Sequence, residues 1–383
     1  MINQSTRRNE GNGTIRVACA LVFVSFTFIW LYFFQADILY VAQHELSDGQ
    51  THYDRLVGAL LITLVLVLVQ QAVYHVIPLR RAAHSLVWFP SLLLLAVLSS
   101  VGDVDSKPFP FYTWLWLAPM LFMLWAAVVW MAGNVESYDR PAPVGLLSRR
   151  MWVNMLTMAA MIAGTAWCSN TDSVYHYRAH AEVAMLDGQF DEALRVGSRS
   201  HETDYHLMMV RMYALSKQGQ LPERLFAYPV IPSSHGMLPT DDYTDLLIYP
   251  ADSVYHHLGA IPRHRMEPMD YVSALIEQGK ATAAAVDYLL CGLLIEHDLS
   301  SFAAELPRHY AINDSLPRYY REALVLYRHR TSDPVVKYTN PALEVDYQDF
   351  RKLMSDYPTA SERRLKVAQK YADSYWYYFF FKQ

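Results

Sequence analysis

The stretch Ala179-His180-Ala181-Glu182-Val183-Ala184-Met185-Leu186-Asp187-Gly188-Gln189-Phe190-Asp191-Glu192-Ala193-Leu194 decides how the second half of this chain folds. Apolar residues recur at helical spacing on both sides of Asp187-Gly188, and no period-2 alternation competes. Small residues on the first helix let a second helix approach closely. Gly188 permits the left-handed turn between them. Phe190 fills the groove between the two helices, and Ala193 sits at their closest crossing.

About 31 residues on, Gln218-Gly219-Gln220-Leu221-Pro222-Glu223 repeats the turn, with Tyr213 and Leu215 on the incoming helix and Arg224 where a small residue belongs. A third echo is Glu277-Gln278-Gly279-Lys280, leading to Ala284. The pattern resembles tetratricopeptide repeats, whose period is about 34 residues. Residues 229–268 are Pro-rich and interrupt the array as an insertion with one short helix, Ser253–Leu258. Beyond it the periodicity predicts helices over 269–278, 281–296, 298–310, 317–329, 343–355 and 359–378.

Working towards the N-terminus, the composition changes. Five runs approach the ~20 apolar residues that a helix needs to cross a bilayer. They are Val17–Phe34, Val57–Leu79, Ala82–Val101, Phe111–Ala132 and Met151–Cys168. The expected fold class is therefore all-α: a five-helix transmembrane bundle over residues 1–168, then a soluble, tetratricopeptide-like helical array over 169–383. Arg7, Arg8 and Arg16 precede the first run, Arg80 and Arg81 follow the second, and Arg140, Arg149 and Arg150 precede the fifth. The alternate loops carry only Arg55 and Lys107 beside Asp37, Glu45, Asp48, Asp54, Asp103 and Asp105. Basic residues mark the cytoplasmic side. This pattern places the N-terminus inside and, after five crossings, the array outside the cytoplasm, in a bacterial inner membrane with membrane lipid as its surroundings. Pro90 and Pro119 are expected to kink their spans, while Gln70, Gln71, His75 and Asn154 are expected to hydrogen-bond between helices.

A net charge of −5 lacks the basic footprint of nucleic-acid binding. No Gly-rich phosphate loop is present, so no cofactor is expected. Three cysteines are too few for a disulfide framework. The motif Asp-Ser-Val-Tyr-His occurs at residues 172–176 and again at 252–256, which reads as a shared way of starting a helix, with Asp or Ser supplying the capping oxygen. His176 and His180, one turn apart, are the metal-binding candidates, although two residues fall short of the three or four ligands that zinc requires.

The first outer loop is dense in acid/base groups. Asp37, His44 and Asp48 are its candidate catalytic or metal-binding residues. A short amphipathic helix over Ile38–Leu46, closed by a Ser-Asp-Gly turn, is the structural alternative.

Phe33-Phe34-Gln35-Ala36-Asp37, Gln43-His44, Thr51-His52-Tyr53-Asp54-Arg55 and Ser374-Tyr375-Trp376-Tyr377-Tyr378 resemble an uncharacterised family of bacterial polytopic membrane proteins. That family joins an N-terminal bundle of spans to an outer helical, repeat-like region, and the resemblance covers most of the chain. It implies this architecture and an envelope location. Its recurring loop residues direct attention to Gln43, His44, Thr51 and Tyr53 as binding residues. The expected function is a membrane-anchored envelope scaffold that binds a protein or peptide partner through the array. The alternative is a membrane-interface enzyme acting on an envelope glycan or lipid-linked precursor through Asp37, His44 and Asp48.

Overall fold

A computed structural model describes residues 2–77, 83–102, 111–136, 148–240, 244–262 and 264–382, with the backbone alone for 2–12, 111, 135 and 136. Arg80, Arg81, Asp103, Asp105, Lys107 and Arg140, and the side chains of Arg7 and Arg8, lie outside the described residues. The described chain is helical and holds no strand, only an isolated bridge between Thr240 and Thr244. It divides into two compact units, residues 1–176 and 177–383.

The first unit contains α1 (Ile2–Ile29), α2 (Ala36–Leu46), α3 (Arg55–Val76), α4 (Phe89–Leu98), α5 (Trp114–Glu136) and α6 (Arg149–Cys168). Among the described residues, four helical segments are long and apolar enough to cross a membrane: Gly13–Phe34, Arg55–Val76, Trp114–Asn134 and Arg149–Cys168. Their outward faces expose Leu21, Leu60, Leu64, Leu68, Leu115, Trp116, Trp130 and Leu156. Apolar exposure on this scale suits a lipid surrounding rather than water.

The segment expected over Ala82–Val101 differs. It is a shorter apolar helix, His84–Leu98, built from a 3-10 stretch and α4. Pro90 explains the change of winding. It stands in the first turn of α4, where its missing N–H costs nothing, and a regular α-helix does not extend back through it. Pro119 lies inside α5.

Side-chain bonds show which ends of these helices meet. At one end the Arg16 guanidinium lies 4.5 Å from the centre of the Tyr74 ring, and Tyr74 meets the His84 ring edge-on at 5.5 Å. The Ser85 N–H donates to Asn154 Oδ1 at 2.8 Å, and Asn154 Nδ2 donates to the Arg150 carbonyl at 2.9 Å. At the other end Gln35 Nε2 donates to the Asn170 carbonyl at 3.2 Å. The Asn170 N–H donates to the Ser99 carbonyl at 2.8 Å, and Trp114 Nε1 donates to Ser100 Oγ at 2.6 Å. The short apolar helix thus runs beside α6 from one end of the bundle to the other. Asn154 to Cys168, the last residue of α6, is fourteen rises, about 21 Å.

The second unit contains α7 (Ser173–Leu186), which begins just before it, then α8 (Phe190–Arg195), α9 (Tyr205–Lys217), α10 (Leu221–Arg224), α11 (Ala251–Leu258), α12 (Pro268–Glu277), α13 (Ala283–Ile295), α14 (Leu299–His309), α15 (Arg318–Arg330), α16 (Pro341–Asp356), α17 (Ala360–Tyr371) and α18 (Tyr375–Phe381). The three glycine turns share one geometry. Gly188, Gly219 and Gly279 have φ of +73°, +65° and +65°. At each, the glycine N–H bonds three residues back and the next N–H bonds five residues back, as in Gly188 to Met185 and Gln189 to Ala184. This is the Schellman stop, after which the chain reverses into the next helix. A fourth copy uses His297 at φ +59°, with Asp298 bonding back to Leu293.

The core centres on α13, whose Tyr288, Leu290, Leu294 and Ile295 are fully buried. Helices α10, α11, α12 and α14 all pack on it, and α10 also reaches α15. A pure solenoid buries surface only between sequence neighbours, so contacts of this range make the unit more closed than a simple stack.

The helix expected over 359–378 is two helices. Ser374 breaks it, with an extended backbone and its Oγ accepting from the Tyr377 N–H at 3.1 Å. The freed Tyr375 N–H goes to Glu322 Oε2 at 2.7 Å, and Trp376 Nε1 to the Glu322 carbonyl at 2.8 Å. Tyr375, Trp376, Tyr378 and Phe379 are buried in the core of their own unit. The break turns the aromatic run inward and satisfies its polar atoms.

Candidate functional site

The segment between α1 and α3 holds its groups in local contacts. Asp37 accepts from Arg55 Nη2 at 2.6 Å. Asp54 Oδ1 accepts from the Val57 N–H and caps α3. Asp48, at φ +53°, forms the stop of α2 together with Gly49. Gln43 Nε2 donates to Thr51 Oγ1 at 2.9 Å. The rings of Tyr40 and His52 stack at 5.8 Å, and His44 lies 6.3 Å from His52. The Tyr53 ring lies over Gly58, where a Cβ would collide with it, and its buried hydroxyl has no hydrogen-bond partner. Among the described residues, no three His, Cys, Asp or Glu side chains come together as a group able to hold a metal ion. His176 Nε2 bonds the Asn170 carbonyl at 3.2 Å, and His180 is half-buried on α7. Asp172 does cap its helix, accepting from the Val174 N–H at 2.9 Å. Its counterpart Asp252 lies inside α11, whose capping position is Pro250, so the repeated motif serves two different local structures.

The best-built polar constellation lies elsewhere, on α7 and the Pro-rich insertion. Arg178 and Glu182 are one turn apart and almost wholly buried. Arg178 Nε donates to Glu182 Oε1 at 3.2 Å, and Nη2 reaches Asp245 Oδ1 at 2.6 Å and the Asp245 carbonyl at 2.9 Å. Glu182 Oε2 accepts from the backbone N–H groups of Ile248 at 2.9 Å and Tyr249 at 3.2 Å. His206 Nδ1 lies 2.8 Å from Asp245 Oδ1. Burial pushes the Glu182 carboxyl up, and Arg178 and the N–H groups of residues 247–249 oppose that. Asp245 is held well below the usual carboxylate range, first by the His206 hydrogen bond and then by Arg178. Burial disfavours a charge on His206, but the Asp245 carboxylate outweighs it and raises its pKa.

This network ties down one side of a recess of about 720 Å³ lined by Asp245, Tyr249, Tyr255, Arg265, Glu267 and Tyr271, among others. The tyrosines of the recess are held by their hydroxyls. The Tyr255 hydroxyl donates to the Pro239 carbonyl, the Tyr271 hydroxyl to that of Ala260, and Tyr249 pairs with Tyr213 at 3.1 Å. Their ring faces are left as walls, with acidic and basic side chains at the rim. The i,i+4 spacing of Arg178 and Glu182 was a sequence signal for a buried pair. Asp245, 67 residues from Arg178, carried none.

An all-helical chain with four helices of membrane-spanning length and a separate helical unit defines the class of protein. Within that class, the family model DUF6057, a family of unknown function, matches residues 112–265 and 262–382, and the chain belongs to that family. The match covers the whole recess and begins after the segment between α1 and α3. No curated protein and no solved structure matches the chain.

Proposed function

We propose that this is a membrane-anchored interaction protein that holds a peptide or protein segment in the recess beside Asp245, Tyr249 and Tyr255, on the outer side of a bacterial inner membrane. The observation that carries the reading is a recess with aromatic walls, charged at the rim, whose framework is braced by the buried Arg178–Glu182 pair. Aromatic anchors inside a polar rim are the usual composition of a contact hot spot. The repeated Schellman hairpins support a tetratricopeptide-like origin for the unit.

We infer five crossings by counting the short apolar helix with the four longer ones. The short apolar helix connects the Arg16–Arg150 end to the Gln35–Asn170 end, as α6 does, and a span this short is accommodated by local thinning of the bilayer. Arg16 and Arg150 share one end and mark it as cytoplasmic; Asp37, Glu45 and Asp48 follow the other. The enzyme reading loses ground because Asp37, Asp48 and Asp54 already serve an ion pair, a turn and a helix cap.

A photoreactive amino acid at Tyr255, in the full-length protein in its native membrane, tests the binding claim. A discrete polypeptide adduct is expected from Tyr255 and from Met266, but not from exposed Glu362 on α17. Adducts equal at all three positions, or none from the recess, would refute the reading.

A further inference from the structure

A second cavity, of about 430 Å³, lies in the same unit but on different elements: the 198–201 turn, residues 226–230, α17 and α18. Arg364 and Lys382 line it. Neither makes a side-chain ion pair or hydrogen bond with any described residue. Asp373, the acid among the described lining residues, is taken by Arg318 at 3.0 Å. The hydroxyls of Ser198 and Ser200 and the ring of His201 complete the polar side. The apolar side is Phe226, Tyr228 and Tyr377.

Further positive charge stands behind the wall. The Tyr228 ring is flanked by the guanidiniums of Arg211 at 5.4 Å and Arg224 at 5.9 Å. Arg211 is 2% exposed and donates to the Gly197 carbonyl at 3.1 Å, and its Nε and Nη1 have no partner. Arg364 is exposed and Lys382 half-buried, so an anion entering the cavity would meet both, and until one does each cation lowers the other's affinity for a proton. Lys382 shows that strain: burial and the Arg364 charge hold its ammonium below the usual lysine range.

We propose that this cavity binds a phosphate group carried on an apolar stem, with Arg364 and Lys382 as its charge partners. A phosphate monoester brings close to two negative charges at neutral pH and three acceptor oxygens, enough for both cations and the two serine hydroxyls. An arginine fork and a lysine point charge are the usual pair for that group. The apolar stem would lie along Phe226 and Tyr377. The group could belong to a soluble phosphomonoester or to an anionic lipid headgroup, whose phosphodiester carries one charge and two free oxygens and would engage the same two cations. This inference does not depend on the peptide recess, which lies on other residues.

The test uses the full-length protein in neutral detergent. Hydrogen exchange of residues 375–382 is followed with inorganic phosphate, with chloride at matched ionic strength, and with phosphatidylglycerol or phosphatidylcholine in mixed micelles. Inorganic phosphate is expected to slow exchange there several-fold and to saturate, while chloride does not. Protection by phosphatidylglycerol but not by inorganic phosphate or phosphatidylcholine would assign the group to a lipid. The double variant Arg364→Gln, Lys382→Gln is expected to lose the protection, and Arg308→Gln, Lys352→Gln, a surface control of equal charge change on α14 and α16, to keep it. No protection by either phosphate source in the wild-type protein would overturn the proposal, as would a double variant that responds like the wild type.

Discussion

Replacing Glu182 by alanine should release the recess from the helix that braces it. The side chain is fully buried and accepts from Arg178 and from the N–H groups of Ile248 and Tyr249. Its removal leaves a buried guanidinium short of one partner and two backbone donors without any. Breaking a buried pair in this way costs about 3–5 kcal/mol. The three hydrogen bonds taken separately would sum to more, but they share one carboxylate and are not additive. Asp245 retains its bond to Arg178, which keeps the cost nearer the lower bound. At about 1.4 kcal/mol per tenfold, a loss of about 3–4 kcal/mol corresponds to roughly 140- to 700-fold more frequent opening. The assay is hydrogen exchange on the full-length protein, read at the amides of Ile248 and Tyr249. Faster exchange there by two to three orders of magnitude is expected, with little change on α16, which shares no contact with the network. Glu182→Gln should fall between, since its amide oxygen can still accept from one N–H but its NH₂ confronts Arg178. Exchange at those amides within about threefold of wild type in Glu182→Ala would refute the claim that this carboxylate holds the insertion in place.

Other outcomes follow from the same geometry. Asp245, with its pKa lowered, stabilises the fold above the ordinary carboxylate range of about 4 and loses that contribution as pH falls. His206, with its pKa raised, contributes below about 6.5 and loses its contribution as pH rises through its folded value. Protection of residues 244–249 should therefore peak in mildly acidic solution, and Asp245→Asn should flatten the profile. Gly219→Ala should cost about 1–2 kcal/mol in denaturant unfolding, because nothing crowds its Cβ site and the left-handed φ is the only penalty. Asn154→Leu should weaken the hold on the Ser85 turn by roughly 0.6–1.7 kcal/mol, the range for hydrogen bonds between membrane helices. Glu322→Ala should expose α18 to protease, since the Tyr375 N–H and Arg318 both lose their acceptor.

Much of the helical plan was legible in the sequence, for local reasons. Gly188, Gly219 and Gly279 marked three turns because a left-handed residue with no Cβ penalty is written in one letter. His297 made the same turn and escaped notice, because histidine carries no such signal; its ring lies 5.0 Å from that of Tyr378, which ties that turn to the closing helix. Apolar run length found the four helices that are long enough to cross a membrane. The third run holds a shorter apolar helix, His84–Leu98, because Pro90 changes the winding there, which length alone cannot show. The last predicted helix was read as continuous because Ser374 is an ordinary helix residue; only the distant Glu322 explains the break. The candidate site was the least legible part. Asp37, His44 and Asp48 stood out as acid/base groups, yet Asp37 and Asp48 serve local structure. The Arg178–Glu182–Asp245–His206 network depends on contacts across 67 residues that no local pattern encodes.

The central claim is that five crossings separate the arginine-marked end of the bundle from the helical unit, placing that unit outside the cytoplasm. Alkaline phosphatase fused behind Gln383 tests it most directly, with a fusion at the N-terminus as the control for the opposite face. Strong activity at the first position and none at the second is the result expected. A silent fusion behind Gln383, together with fluorescence from a cytosolic reporter at the same point, would mean an even number of crossings and would contradict the account.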